Sequence, residues 1–204
     1  MLKKKYRVLA TAAMLVLAAM FSGCSATAKK EHVEENEIKE EIDTVDKEAD
    51  SDASGLVFHT QDIYGKTVTE AVFQDYDLTL VNIFATWCSP CIAEMPELAK
   101  LDETMEEKGV NVVAVCIDAL NNRGELDLNA IALVQQIAEI SEAKFQFLVP
   151  DATLFGGRLA NVQAVPESFF VDRNGNLVGE PYVGARDLAA WTQIVEQELD
   201  KVLR

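Results

Sequence analysis

The sequence predicts an α/β domain with a central mixed sheet flanked by helices and an N-terminal β-hairpin extension. Three observations predict it. Two uninterrupted apolar runs, residues 78–85 and 110–117, are typical of strands buried on both faces of a sheet. Segments with apolar residues at three- and four-residue spacing follow them, and this is the period of an amphipathic helix. The turn at Asp172-Arg173-Asn174-Gly175 then predicts a hairpin that adds an antiparallel edge.

The remaining elements follow in order along residues 56–204. The hairpin extension is predicted from strands at residues 56–60 and 67–69 around a turn at residues 63–66. The helix after the first apolar run contains Pro96, which should kink it. We expect that helix to end at Gly109 and the next helix to turn inward Ile131, Val134, Ile137 and Ala138. A strand at residues 145–149, a short helix at residues 152–161 and strands at residues 168–171 and 176–183 should follow. The final helix is predicted to bury Leu188, Trp191, Val195, Leu199 and Val202.

The N-terminus has the features of a targeting segment. Three lysines and an arginine within residues 3–7 precede an apolar stretch at residues 8–21, which is too short to span a bilayer comfortably and has the length of a signal-peptide core. The stretch runs into Phe21-Ser22-Gly23-Cys24, which resembles the lipobox of bacterial lipoproteins. That resemblance implies a lipoprotein signal peptide at residues 1–23 and a diacylglycerol thioether on Cys24. The alternative is an ordinary secretory signal with an incidental cysteine, and either case predicts an extracytoplasmic protein, in which disulfides persist.

Residues 24–55 are predicted to be the lipidated cysteine and an acidic, disordered tether. From residue 25 to residue 55, eleven acidic residues stand against four lysines, so the segment cannot bury enough apolar surface to offset its ordering entropy. Residues 56–204 then form one domain with a core of its own. Without the four basic residues of the signal, the chain carries 34 acidic against 14 basic residues. This balance argues against nucleic-acid binding, which needs a positive surface.

The motif that carries chemistry is Thr86-Trp87-Cys88-Ser89-Pro90-Cys91, between a buried strand and a helix. A thiolate is the nucleophile of disulfide exchange, and a helix N-terminus lowers the thiol pKa through its dipole and its unpaired N–H groups. Cys88 is therefore predicted to be the exposed, attacking cysteine, which forms a mixed disulfide with a partner. Cys91, one turn further along and more buried, would resolve it. The motif predicts thiol–disulfide exchange.

Other interpretations of the two cysteines fit less well. A structural staple across so short a loop would stabilise the fold little. A zinc site needs two more ligands, and the only histidines, His32 and His59, lie far upstream. A c-type haem site needs histidine where Ile92 stands, a Sco-type copper chaperone needs CxxxC and a later histidine, and a peroxiredoxin has threonine where Ala85 stands. We therefore expect no metal and no cofactor.

Four features occur in a fixed order along the chain. They are the run from Asn82 to Cys91, Glu94 with Pro96, Val165-Pro166 before a strand, and the run from Phe169 to Gly175. Together they resemble the thioredoxin fold and, more narrowly, the TlpA/ResA-like family of membrane-tethered thiol–disulfide oxidoreductases. The resemblance covers essentially all of residues 56–204 and implies a thioredoxin-like fold.

The resemblance also implies roles for residues outside the dithiol. Helical spacing places Glu94 near the face of Cys91, and the family suggests a carboxylate of raised pKa that exchanges a proton with that thiol. The alternative is a surface glutamate. Pro166 is expected to be cis and to face the dithiol, which leaves the backbone of Val165 free to pair with an extended substrate segment beside Trp87.

Two further positions carry predictions of their own. Glu167 stands where the family commonly has threonine, and if it points at the dithiol, its charge would disfavour the Cys88 thiolate. Cys116 lies in the second apolar run and is interpreted as a buried core residue. Trp191 and the phenylalanines at 169 and 170 are interpreted as core residues too.

The resemblance implies a disulfide reductase that is lipid-anchored on the extracytoplasmic face of the bacterial cell membrane. Its partners would be extracytoplasmic protein disulfides and a membrane thiol electron donor of the CcdA or DsbD type, and we expect a monomer. Family members reduce apocytochrome c before haem attachment or supply reductant to envelope enzymes such as methionine sulfoxide reductase. Two alternatives stay open: an oxidant or isomerase of the DsbA type, and a non-catalytic lipoprotein that binds a partner.

Overall fold

The computed structural model describes residues 55–204 and confirms the predicted α/β architecture. The predicted signal peptide, Cys24 and nearly all of the acidic tether lie outside the described residues. The strands are β1 (His59–Asp62), β2 (Thr67–Thr69), β3 (Leu78–Phe84), β4 (Val110–Cys116), β5 (Gln146–Val149), β6 (Glu167–Asp172) and β7 (Leu177–Val183). The helices are α1 (Ser89–Met105), α2 (Leu128–Ile140), α3 (Ala152–Gly156) and α4 (Leu188–Val202).

All seven strands form one mixed sheet in the order β2-β1-β5-β4-β3-β6-β7. The three central strands are parallel, with β4 paired to β3 on one side and to β5 on the other. Strand β6 runs antiparallel to β3, and β7 continues it as a hairpin at one edge. The N-terminal hairpin pairs antiparallel with β5, so it extends the sheet at the other edge.

The edges of this sheet differ in character from its centre. Every residue of β3 and β4 is buried, which confirms two strands covered on both faces. At the edges, β2 has only three residues, and β7 is largely exposed and contains Pro181 and Gly179. A register shift interrupts the pairing of β6 with β7 between Ser168 and Phe170.

Because side chains alternate along each strand, each face of the sheet has its own core. The face covered by α1, α2 and α4 packs around Met95, Leu98 and Trp191. The opposite face, covered by α3, packs around Phe73 and Phe169. The core assignments for Trp191 and for the phenylalanines at 169 and 170 are therefore confirmed.

Some element boundaries differ from the prediction. Strand β1 begins at His59, three residues later than expected, and a 3-10 helix over Glu70–Phe73 was not anticipated. The predicted helix at residues 152–161 is split at Gly157 into α3 and a 3-10 helix over Arg158–Asn161. Helix α1 ends at Met105, earlier than the predicted end at Gly109. A 3-10 helix over Glu106–Lys108 follows it, and Gly109 ends that helix in a left-handed conformation with φ of 78°.

Within residues 55–204, no helix combines the length and the apolar character that a membrane crossing requires.

Candidate active site

The two motif cysteines lie at the junction between the end of β3 and the start of α1. Cys88 is the N-cap residue of α1, and its Sγ accepts a hydrogen bond of 3.3 Å from the backbone N–H of Cys91. The two side chains form a disulfide with a Cα–Cα distance of 5.3 Å. The free N–H groups of the first helical turn and the helix dipole stabilise negative charge at this position. The geometry therefore suits a sulfur that becomes a thiolate on reduction.

The prediction that Cys88 is exposed is wrong for this disulfide-bonded form. Cys88 is only 4% exposed and Cys91 is fully buried. The Cys88 sulfur is bonded to that of Cys91 on one side, and the carbonyl oxygen of Val165 lies 3.6 Å from it. Trp87, one residue earlier, is 69% exposed. An exposed indole ring therefore stands directly before the disulfide in the chain.

The proline loop lies against the dithiol, as the sequence predicted. The Val165–Pro166 peptide bond is cis, which confirms that expectation, and the loop leads directly into β6. The contact between the Val165 carbonyl and the Cys88 sulfur brings together two segments that are 77 residues apart in the chain.

Glu94 is buried on α1, at 2% exposure, and is not a surface glutamate. Its Oε1 accepts 2.8 Å hydrogen bonds from the backbone N–H of Arg186 and from the indole N–H of Trp191. Its Oε2 accepts a longer one, 3.4 Å, from the side-chain amide of Asn82. Burial raises the pKa of Glu94, and these donors with the Arg186 charge offset only part of the rise. The carboxyl group therefore stays protonated to a higher pH than an exposed glutamate does.

Asp118 is a site residue that sequence reasoning missed. Its carboxylate accepts hydrogen bonds from the backbone N–H of Thr86 at 2.9 Å and from the Thr86 hydroxyl at 2.5 Å. Burial raises the pKa of Asp118, but the hydrogen bonds that it accepts, first from Thr86 and then from Cys116, together hold the pKa below its ordinary value. The sequence does contain a signal for it, since Asp118 follows β4 just as the motif follows β3. The C-terminal ends of adjacent parallel strands meet at one edge of the sheet, so residues that follow them lie close together. Asp118 fixes the loop that leads into Trp87 and Cys88.

Cys116 is buried in β4, which confirms the core assignment. Its sulfur lies 3.1 Å from Asp118 Oδ1 and donates a hydrogen bond to it. Burial, the hydrogen bond to Asp118 and the Asp118 charge all raise the pKa of the Cys116 thiol. The thiol therefore remains protonated and unreactive.

Glu167 does not act on the dithiol as its sequence position had suggested. Along β6, Ser168 faces the side of the sheet that carries α1, so Glu167 faces the opposite side. There its Oε1 lies 2.6 Å from Nη2 of Arg158, and the two side chains are only 8% and 13% exposed. Arg158 also lies over the Phe169 ring, 4.4 Å from its centroid. The hypothesis that Glu167 destabilises the Cys88 thiolate is wrong, because the ion pair neutralises its charge.

A concave region lies at the end of the sheet opposite the motif cysteines. This cleft, of about 590 Å³, is lined by Asp102, Asn111 and Gln146, which lie at the N-terminal ends of β4 and β5 or opposite them on α1. Burial raises the pKa of Asp102 to about 6. The cleft contains neither motif cysteine. Among residues 55–204, no three histidine, cysteine or acidic side chains are grouped as metal ligands.

The sheet order, the CxxC motif at a helix N-terminus and the adjacent cis-proline loop define a thioredoxin-fold thiol–disulfide oxidoreductase. The chain belongs to the AhpC/TSA family, whose model matches residues 54–179. Within it, this protein is ResA-like. It is 31% identical to the thiol-disulfide oxidoreductase ResA of Bacillus cereus over 145 residues, which cover 70% of this chain and 72% of the relative.

Other relatives agree with this assignment. The thiol:disulfide interchange protein DsbE of Pseudomonas fluorescens is 33% identical over 135 residues, covering 66% of this chain and 67% of that protein. Among solved structures, a thioredoxin-family thiol:disulfide interchange protein from Chlorobium tepidum superposes with a TM-score of 0.58 at 24% identity, covering 73% of this chain and 99% of that one. At that identity, the structural likeness shows the fold alone.

Proposed function

We propose that this protein is an extracytoplasmic, membrane-tethered disulfide reductase that uses the Cys88–Cys91 dithiol. The observation that carries the proposal is the position of Cys88, at the N-cap of α1 and against the Val165 carbonyl. Cys88 keeps a small exposed fraction of 4% while Cys91 is fully buried, so Cys88 is the sulfur that a partner would reach first. The ResA and DsbE relatives are named for exchange between thiols and disulfides, and the direction of exchange is part of this proposal.

The reaction passes two electrons from the dithiol to a partner disulfide. The Cys88 thiolate attacks one partner sulfur, forms an intermolecular S–S bond and releases the other partner sulfur as a thiolate. Cys91 then loses its proton and attacks Cys88, which forms the intramolecular disulfide and releases the second partner thiolate. The partner gains two electrons and two protons, and this protein ends in its disulfide form. A membrane thiol donor of the CcdA or DsbD type would return it to the dithiol.

Glu94 is proposed as the group that takes the Cys91 proton. It lies three residues after Cys91 on the same helix, so both side chains occupy neighbouring positions on one helix face. Burial raises the pKa of Glu94 above that of an ordinary carboxyl group, which suits it to accept a proton and to return it. Glu94 and the two cysteines are thus the proposed catalytic residues.

Trp87, Val165 and Pro166 are proposed to bind the partner. The Trp87 ring offers exposed apolar surface next to the disulfide. The Val165 backbone precedes β6, where an extended partner segment can pair with it as a short strand. Extracytoplasmic proteins with accessible disulfides fit this arrangement. Apocytochrome c and envelope enzymes such as methionine sulfoxide reductase are the proposed clients.

The reduction potential of the Cys88–Cys91 pair tests the direction of the reaction. Equilibration of the full chain in detergent with redox buffers, followed by alkylation and mass spectrometry, gives the oxidised fraction of the peptide that carries both cysteines. We expect a potential below about −250 mV, close to thioredoxin, because a reductase must lose its electrons readily. A value near about −120 mV would instead identify an oxidant of the DsbA type.

Membrane attachment through Cys24 is a separate proposal that rests on the lipobox-like sequence at residues 21–24. In cells that produce the wild-type chain, we expect the protein in the membrane fraction, with an N-terminal peptide carrying the mass of a diacylglycerol. Cys24→Ala should move it to the soluble extracytoplasmic fraction or leave an uncleaved precursor, while Cys116→Ala should remain in the membrane. Equal fractionation of the wild type and Cys24→Ala would remove the lipid anchor from this proposal.

A further inference from the structure

The two oxygens of the Glu94 carboxyl group have different partners. Oε1 accepts from the backbone N–H of Arg186 and from the indole N–H of Trp191, both at 2.8 Å. These donors cannot become acceptors. Oε2 faces the side-chain amide of Asn82 at 3.4 Å. A proton on this carboxyl group is therefore excluded from Oε1 and belongs on Oε2.

Asn82 is a fully buried amide in the middle of β3. Its Nδ2 donates to the Ser168 hydroxyl at 2.9 Å and to Glu94 Oε2. Its Oδ1 is buried and has no hydrogen-bond partner within residues 55–204. An unpartnered buried polar atom costs free energy, so its presence calls for an explanation.

Because Oδ1 has no partner, only the two hydrogen bonds that Nδ2 donates hold the Asn82 amide in this orientation. A half-turn about χ2 breaks no hydrogen bond to Oδ1 and brings Oδ1 to the place where Nδ2 now faces Glu94 and Ser168. Oδ1 can accept two hydrogen bonds, and the Ser168 hydroxyl can donate as well as accept. In the present orientation the amide donates a hydrogen bond to the ionised carboxylate. In the rotated orientation it accepts one from the protonated carboxyl group.

We propose that Asn82 and Ser168 are positioning residues that keep Glu94 hydrogen-bonded in both of its protonation states. When Glu94 is ionised, Asn82 Nδ2 donates to Oε2 and to the Ser168 oxygen. When Glu94 takes a proton on Oε2, that O–H and the Ser168 O–H both donate to the rotated Oδ1. The inference rests on the proposed role of Glu94 in resolution.

The proton balance of the resolving step is then complete. The Cys91 S–H proton passes to Glu94 Oε2, the Cys91 thiolate attacks Cys88, and the departing partner thiolate takes a proton as Glu94 ionises again. Of the charged groups on neighbouring elements, Arg186 is the one that acts on the Glu94 carboxylate. Its guanidinium lies over the Trp191 and Tyr182 rings. The Arg186 backbone N–H donates to Oε1 and not to Oε2, so Asn82 and Ser168 are left to respond to the change at Oε2.

Infrared difference spectra of the full chain, recorded in the disulfide form above and below the Glu94 pKa, test the inference. Glu94→Gln identifies the C=O band of the protonated Glu94 by removing it. In Asn82→Leu, which matches the size of the amide but cannot accept, we expect that band at higher frequency because the acid O–H has lost its acceptor. Ser168→Ala, a milder change, should move the band less and in the same direction.

Thr79→Val is the matched control, because Thr79 is a buried polar residue of the same strand that bonds Asn111 instead. It should leave the band unmoved. An unmoved band in both Asn82→Leu and Ser168→Ala overturns the inference, whereas an equal shift in Thr79→Val would assign the effect to strand β3 in general and also overturn it.

The pH dependence of partner release from the mixed disulfide separates this inference from the function on which it rests. In the wild type, the rate should rise with pH as Glu94 ionises. Glu94→Gln should lose that step. Asn82→Leu should keep it near the same pH but release the partner about tenfold more slowly, because both protonation states lose one partner. If Glu94→Gln keeps the step, the proposed role of Glu94 fails, while disulfide exchange by the cysteines still stands.

Discussion

Cys91→Ala should convert the protein from a turnover catalyst into a trap for its partners. The reduced variant still presents the Cys88 sulfur at the N-cap of α1, so attack on a partner disulfide proceeds. The mixed disulfide then persists because the resolving sulfur is missing. Incubation with oxidised insulin should give nearly stoichiometric covalent adducts on non-reducing gels, and multiple-turnover reduction should fall to the uncatalysed background.

Two matched variants define the outcome. Cys88→Ala should form no adduct, because Cys91 is fully buried. Cys116→Ser, which keeps a donor to Asp118, should retain wild-type turnover. Adducts through Cys91 in Cys88→Ala, identified by mass spectrometry, would reverse the proposed order of attack.

Arg158→Ala should be among the most destabilising single changes outside the apolar core. It leaves the Glu167 carboxylate buried without its cation, and breaking a buried ion pair in this way typically costs about 3–5 kcal/mol. The variant also loses the contact of Arg158 with the Phe169 ring. We expect the urea midpoint to fall by the equivalent of at least about 3 kcal/mol in the free energy of unfolding.

A double-mutant cycle isolates the ion pair. Glu167→Gln added to Arg158→Ala should restore a substantial part of the lost free energy, since no unpaired charge then remains. Arg123→Ala is the control, because its pair with Glu125 is 78% and 60% exposed and should matter by less than about 1 kcal/mol. Additive effects at Arg158 and Glu167 would contradict the assigned coupling.

Much of the fold could be predicted because its signals are local. The apolar runs that became β3 and β4 and the turn at residues 172–175 specify their own structure. The position of the dithiol was predictable for the same reason, since strand, motif and helix follow one another directly. The split of the helix at Gly157 and the late start of β1 depend on tertiary packing, which single-sequence patterns do not encode.

The rest of the site depends on contacts between distant segments. The alternatives for Glu94 could be separated only when Arg186 and Trp191, more than 90 residues away, were found to donate to it. Asp118 was missed because its partner, Thr86, is 32 residues away. Glu167 was misjudged because the alternation along β6 turns it to the face where Arg158 lies.

The edges of the sheet bear on how a client chain can be received. Strand β2 is only three residues long, and β7 carries Pro181, which lacks an N–H, and a glycine beside a break in register. A very short edge strand and an edge strand interrupted by proline are both poor templates for the addition of a foreign strand. They also disfavour edge-to-edge association between copies of this protein. An unfolded client would thus find few places along the sheet where its backbone could pair. The proposed pairing at the Val165 loop would then be favoured partly because the two sheet edges bind a foreign strand poorly.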